Sequence, residues 1–257
     1  MPLAVPPITE LAAAPDWRTV DFISDLHLQA SEPATFEAWR RYLAETPADA
    51  VFMLGDLFEV WVGDDAADEP GSFEAQCASV LRQARAPLFF LHGNRDFLVG
   101  EAFLRSAGVT GLADPTVLAF AGRRWLLSHG DALCLDDVEY QRFRALARDP
   151  AWQRQLLAQP LAARRALSRG IRSESESRKR SSTVYADVDG PAAMAWLQAA
   201  HAHALIHGHT HKPASHELAP GLARHVLSDW DLDATPPRAD ALRLTAAGLE
   251  RIALAPR

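Results

Sequence analysis

Five short polar clusters interrupt apolar stretches of this 257-residue chain in a fixed order: Asp25-Leu26-His27, Gly55-Asp56, Gly93-Asn94-Arg95-Asp96, His129-Gly130-Asp131 and Gly208-His209-Thr210-His211. They offer carboxylate, amide and imidazole donors, the mixed hard and borderline set that suits a pair of divalent metal ions. Two such ions roughly 3.5–4 Å apart acidify a water, place the resulting hydroxide in line with a phosphorus atom and offset the charge that develops on its oxygens. Proton removal from water then needs no protein base. Asp56 is the expected bridging carboxylate, because one negative group shared by two cations reduces their mutual repulsion. Softness and geometry leave manganese, iron and zinc open.

Donors this far apart in sequence need rigid elements to bring them together. Each cluster closes a run that reads as a buried strand: Val20–Ser24, Ala50–Leu54, Leu88–Leu91, Trp125–Ser128 and Ala204–Ile206. The clusters would then meet at one edge of a sheet, the carboxyl edge where open α/β sheets build their sites. Strand-like and helical patterns alternate along the chain, which favours a layered α/β fold. Phe36, Trp39 and Leu43 recur at helical spacing within Thr35–Glu45 and read as a core stripe. Val117–Phe120, Gly122 and Arg123–Leu127 read as a hairpin, and short strands around 223–228 and 241–252 suggest a second sheet. Residues 1–17, rich in proline and alanine, read as a loose N-terminal extension.

The order and wording of the clusters resemble the calcineurin-like metallophosphoesterases, whose pattern is D-x-H, G-D, G-N-H/R-D/E, H-G and G-H-x-H; the resemblance runs from about Asp21 to Trp230. It implies a four-layer αββα sandwich over residues 18–257. It assigns Asp25, His27, Asp56 and His211 to one metal site, and Asn94, His129 and His209 with Asp56 to the other. It tips the metal choice to two Mn(II) ions, with iron or zinc as the alternatives. Three stretches, Ser24–Leu28, Gly55–Asp65 and Ile206–Pro213, are similar to the members that cleave the pyrophosphate of UDP-2,3-diacylglucosamine in lipid A synthesis. The products there are UMP and 2,3-diacylglucosamine 1-phosphate. The alternative activity is hydrolysis of a soluble nucleotide diphosphate or cyclic nucleotide by the same machinery, and a catalytically silent scaffold is a third reading.

Arg95 bears on that choice. Many phosphoesterases carry histidine at this position, where it protonates an alkoxide leaving group, and arginine does not do so at neutral pH. A leaving group that departs as a phosphate anion, with a second pKa near 6, needs no such proton. Arg95 would therefore clamp a diphosphate beside Asn94 and His129; the plainer alternative is a structural ion pair with Asp96. The resemblance also carries substrate-binding roles onto Asn94, Arg95, Asp137, Ser175, Lys179 and His209.

Between Asp136 and Ala200 the composition shifts to helical patterns containing Tyr140, Phe143, Leu146, Trp152, Leu156, Leu157, Leu161 and Leu167 mixed with arginines. In the resembled family an insertion at this place, 136–200, caps the active site and accepts the acyl chains of the substrate. Arginines on it would meet phosphate or an anionic membrane surface. A formal charge of −7 makes the chain a poor candidate for nucleic-acid binding. Cys77 and Cys134 have no paired spacing and read as small buried hydrophobes in a reducing compartment. With no signal-like start and no apolar run long enough to span a bilayer, the expectation is a cytoplasmic protein in peripheral contact with the inner membrane. His92, His201, His203, His207, His216 and His225 are not assigned as ligands. Asp64 and Asp65 read as helix N-caps or surface turn residues, while the resemblance implies support for the substrate pocket.

Overall fold

The apolar runs that end at the polar clusters are strands buried on both faces, and the alternation of their side chains builds two core layers at once. They are seen in a computed structural model that describes residues 5–170 and 187–255. The strands are β1 (Thr9–Ala12), β2 (Thr19–Ile23), β3 (Ala50–Leu54), β4 (Leu88–Leu91), β5 (Val109–Gly111), β6 (Thr116–Phe120), β7 (Arg123–Ser128), β8 (Ala204–His207), β9 (Ala214–Ala219), β10 (Leu222–Val226), β11 (Asp240–Thr245) and β12 (Gly248–Ala253). The helices are α1 (Pro33–Glu45), α2 (Phe73–Gln83), α3 (Glu101–Ala107), α4 (Val138–Ala147), α5 (Pro150–Leu157), α6 (161–170) and α7 (Gly190–Ala199).

One sheet runs β12-β11-β2-β3-β4-β5 and the other β1-β6-β7-β8-β10-β9. β2 to β5 are parallel, as are β7, β8 and β10. Between the sheets, Val20, Phe22, Phe52, Leu54 and Leu91 of the first pack with Leu118, Phe120, Trp125, Leu127 and Ile206 of the second. The intervening residues Ile23, Val51, Met53 and Phe90 face outward into a layer with Trp39 and Leu43 of α1, Leu81 of α2 and Phe103 of α3. On the far side Val117, Leu126 and Leu205 lie under Trp196 and Leu197 of α7. The result is the expected αββα sandwich. Burial of both faces explains why these strands read as continuous apolar runs rather than alternating ones.

Three expectations change. The strands bearing the clusters do not share one sheet: β2, β3 and β4 belong to the first and β7 and β8 to the second, so the clusters line the carboxyl ends of both. The C-terminal strands split in the same way, β10 joining β8 and the β11–β12 hairpin joining β2. Residues 1–17 are not a loose tail throughout, because β1 pairs in parallel with β6 from Thr9↔Thr116 to Ala12↔Ala119. Trp17 then sets its ring edge against Phe52 and Phe89, at centroid distances of 6.3 and 5.7 Å. A four-residue edge strand with one large apolar side chain has no local signature; its pairing is supplied by β6.

Helices α4, α5 and α6 are joined to the cluster-bearing loops, whereas α7, inside the same 136–200 segment, covers a sheet face. Trp152 and Leu156 are drawn into the core: Leu156 is buried, and Trp152 packs against it with Phe97 at 6.2 Å. Of the apolar residues that the sequence places on this insertion, Leu146, Leu157 and Leu167 are exposed.

Candidate metal centre

The chain leaves its strands in an unusual backbone conformation wherever it presents a donor. Among the described residues, the non-glycine positions with positive φ are Asp25 (55°), His27 (50°), Asp56 (50°), Ala121, His201, His209 (66°) and His211 (53°), so five of seven are candidate ligands. Left-handed backbone costs an L-residue about 1–3 kcal/mol, least for short polar side chains, and persists only where the surroundings over-determine it. Here they do. Asp25 N–H donates to Gly55 O (3.1 Å), His27 N–H to Asp56 O (3.0 Å) and Leu28 N–H to Leu57 O (2.9 Å), so the loops after β2 and β3 stay laced together beyond the sheet. Glycine is required where loops touch: a Cβ on Gly93 would enter the Asp56 carboxylate, and one on Gly208 would enter Ser24 Oγ and the Asp25 carboxylate.

The seven expected ligands converge. Asp25, His27 and His211 each offer one donor atom within 4.8 Å of the others, and so do Asp25, Asp56 and His129. His27 Nε2 lies 3.3 Å from His211 Nε2, which is 3.2 Å from Asp25 Oδ1. Asn94 Oδ1 lies between His129 Nε2 (2.9 Å) and His209 Nδ1 (2.8 Å), and His129 Nε2 is 3.7 Å from Asp56 Oδ2. Geometrically Asp25 belongs to both groups, whereas Asp56 stands in the second with His129. Buried carboxylates facing imidazole nitrogens, with two ring nitrogens opposed, form a donor set that divalent cations satisfy.

The electrostatics agree. Burial pulls His129 down, but the Asp56 and Asp25 carboxylates overcome it and push the imidazole up to about 9. His209, buried and beside His129, is pulled down to about 3. Burial pushes Asp25 up, yet the neighbouring His211, His129 and His27 hold it well below the usual carboxylate range. The raised His129 and the lowered Asp25 mark a field that binds positive charge, and metal ions enter such sites by displacing protons. His129 Nδ1 is 2.9 Å from Leu54 O, which fixes the ring with Nε2 toward Asn94 and Asp56.

The remaining expected residues divide. Arg95 donates its backbone N–H to Asp56 Oδ1 (2.8 Å), and its guanidinium lies 3.5 Å from Glu59. Asp96 instead accepts from Gly93 N–H (2.8 Å) and Leu57 N–H (2.7 Å); burial first, then Asp56, pushes its carboxyl up to about 7. The Arg95–Asp96 ion pair considered from sequence is therefore replaced by an Arg95–Glu59 pair. Asp137 is exposed and caps α4 through Tyr140 N–H (3.0 Å). Ser175 and Lys179 lie outside the described residues. Asp64 accepts from Gly100 N–H (2.8 Å), Phe103 N–H (2.9 Å) and Trp61 Nε1 (3.2 Å), anchoring the start of α3. Asp65 takes the buried Arg164 of α6, which also donates to Val62 O. His207 is fully buried with Nδ1 2.9 Å from Gly208 O.

Sequence reading gave no role to two buried carboxylates beside the site, Glu59 and Asp131. Asp131 collects Tyr140 Oη, Arg144 Nε (2.8 Å) and, at 4.0 Å, Arg148 Nη2. Tyr140, Arg144 and Arg148 recur every four residues and so share one face of α4. Arg148 also donates to Gly93 O (2.9 Å), and the Tyr140 ring lies 5.6 Å from that of His209. That regular spacing after an H-G-D cluster is the signal that could have revealed the contact. Burial pushes the Asp131 carboxyl up, but Arg144, His129 and Arg148 outweigh it and hold it well below the usual carboxylate range. Because the folded-state value is depressed, its contribution is complete above the unfolded value of about 3.9 and is lost as pH falls. Asp131→Asn should cost up to about 3 kcal/mol at neutral pH by leaving the half-buried Arg144 and Arg148 without their carboxylate. In urea titrations it should also lose less further stability than the native chain between about pH 5 and pH 2. Equal acid slopes would contradict this assignment.

The geometry matches what comparison with known proteins finds. The profile of the calcineurin-like phosphoesterases matches residues 18–213. The chain is 43% identical over 236 residues to a UDP-2,3-diacylglucosamine hydrolase of Stenotrophomonas maltophilia, covering 87% of this chain and 95% of that protein. A protein of the same name from Chromobacterium violaceum is 46% identical over 222 residues, 82% of this chain and 90% of that one. A third, from Xanthomonas axonopodis pv. citri, is 43% identical over 250 residues, 92% of this chain and all of that one. With the two-sheet sandwich and the donors gathered at its carboxyl edge, these likenesses show that the chain belongs to the calcineurin-like phosphoesterase family, among the relatives named UDP-2,3-diacylglucosamine hydrolase.

Proposed function

We propose that this chain hydrolyses the pyrophosphate bond of UDP-2,3-diacylglucosamine to UMP and 2,3-diacylglucosamine 1-phosphate, a reaction of lipid A biosynthesis. The observation that carries this reading is the convergence of all seven donors with Arg95 beside them, in a chain similar to those relatives over more than four-fifths of its length. Asp25, His27, Asp56 and His211 would hold one divalent ion, and Asp56, Asn94, His129 and His209 the second. Imidazole-rich ligation suits Mn(II), with iron or zinc as alternatives. When bound, the two ions supply an activated water and offset charge on the phosphoryl oxygens.

The chain's own groups do the rest. Arg95, held by its amide on Asp56, is placed to clamp the diphosphate and to stabilise charge as it develops. It need not give up a proton, since the leaving phosphate departs as an anion. Asn94 and His209 border the same pocket and are proposed to contact substrate, as are Asp137, Ser175 and Lys179. The catalytic unit is taken as 18–257, with 136–200 as an insertion whose α4 to α6 portion forms a cap.

Among the described residues, four of the five exposed large hydrophobics, Val138, Leu146, Leu157 and Leu167, lie on α4 to α6. Such a surface suits acyl chains and the lipid interface from which they come, and supports peripheral contact with the cytoplasmic face of the inner membrane. No helix among the described residues is long and apolar enough to cross a membrane.

The direct test is release of UMP from UDP-2,3-diacylglucosamine by the purified chain. Activity should vanish in EDTA and return with Mn(II) better than with Mg(II); turnover unaffected by chelation would end the metal reading. A second experiment addresses the cap. Burial of a methylene is worth about 0.8 kcal/mol, so removing two leucine side chains from an acyl groove should raise KM at least about tenfold. The double variant Leu157→Ser, Leu167→Ser should show that rise with the diacylated substrate and near-normal hydrolysis of a small chromogenic phosphodiester. Equal losses on both would make the insertion structural and favour a soluble nucleotide substrate.

A further inference from the structure

In the run Leu57-Phe58-Glu59-Val60-Trp61, Glu59 is a carboxylate stranded among apolar residues, and it is 8% exposed. Its two oxygens face different motif loops. Oε2 is 2.9 Å from His27 Nδ1, within reach though off the ideal hydrogen-bond line, and Oε1 is 3.5 Å from Arg95 Nη1. The backbone on either side is pinned to the same two loops: Glu59 N–H donates to Leu28 O (3.2 Å) and Trp61 N–H to Arg95 O (3.2 Å), while Phe58 bridges Leu28. The carboxylate is thus held between the first and third clusters and has little freedom to move toward only one of them.

We propose that Glu59 is a positioning residue that sets His27 as an Nε2 metal donor and holds Arg95 against the metal pocket. The reasoning is chemical. A neutral imidazole carries its single proton on one nitrogen, and the nitrogen facing a carboxylate keeps it. With Nδ1 turned to Glu59, the lone pair is on Nε2, the atom that faces His211 Nε2 at 3.3 Å within the candidate ligand group. The same carboxylate gives Arg95 a fixed counter-charge at Nη1, which leaves its remaining donors in a set direction. One residue therefore registers the metal ligand and the diphosphate clamp against each other.

The inference rests on the proposed metal and Arg95 assignments, and its test separates the two. The full-length protein would be equilibrated against graded free Mn(II) and bound metal measured by elemental analysis. Glu59→Gln keeps the size but not the charge, and should weaken one of two sites about 10–100-fold, the loss typical when a ligand histidine loses its orienting carboxylate. At saturating Mn(II) it should still show a raised KM for UDP-2,3-diacylglucosamine, because Arg95 is unmoored; Arg95→Ala should leave both Mn(II) affinities intact. Native Mn(II) affinity in Glu59→Gln, with a lowered Tm alone, would overturn the proposal. His27→Ala provides the control: if it retains both ions, the metal assignment underneath has failed rather than the role of Glu59. Should Glu59→Gln not fold, Glu59→Asp carries the same measurement, with a smaller loss at the same site expected and unchanged affinity overturning the idea.

Discussion

The constraint on which this structure depends is the burial of four carboxylates at one end of the sandwich. Asp25, Asp56, Asp96 and Asp131 are each at most 2% exposed, and they stand on adjacent loops. Unpaired charge in such a place is too costly to survive, so each must be neutralised, protonated or matched. The protein answers differently for each. Asp96 spends its oxygens on backbone amides and has its carboxyl lifted to about 7. Asp131 is matched by arginines and a tyrosine from α4. Asp25 and Asp56 meet imidazoles and amides, with donor atoms from several loops turned toward one another. One residue type thus yields a loop staple, a cap anchor and candidate ligands, according to what surrounds it.

Rigidity makes that differentiation possible. The left-handed backbone at five donor positions is tolerable because two six-stranded sheets fix the strands from which the loops spring. Glycines at 93 and 208 let the loops approach until carboxylate and backbone touch. Helices α4 to α6, the proposed cap, are joined to this assembly by polar bonds as well as by Trp152 and Leu156 in the outer core layer. Arg148 reaches Gly93 O and Arg164 reaches Asp65, so α4 and α6 are each tied to a loop beside the site. Leu146, Leu157 and Leu167 on α4 to α6 remain exposed.

Much of this was legible in the sequence, for reasons that can be located. Strands buried on both faces announce themselves as short apolar runs, and all five ended at or next to the residue expected. Ligand types follow from the chemistry of divalent ions, and the order of the clusters carries the family. What could not be read was pairing. Val51 and Leu126 look alike in sequence although they stand in different sheets, because partners are chosen by distant segments. The same applies to β1, which exists because β6 offers it an edge. Trp152 and Leu156 resembled a lipid-binding surface, yet Phe97 and the outer core layer claimed them. Glu59 was legible only as an oddity, a single charge in an apolar run, and its meaning depended on which loops crossed it.

The central claim is that donors from both sheets hold two metal ions close enough to share a ligand. Electron paramagnetic resonance of the Mn(II)-loaded protein tests it most directly, because ions roughly 3.5–4 Å apart are coupled magnetically through a bridging group. The account predicts two Mn(II) per chain with an exchange-coupled spectrum that collapses to uncoupled signals in Asp56→Ala. One ion per chain, or two with the simple six-line pattern of isolated Mn(II), would contradict it.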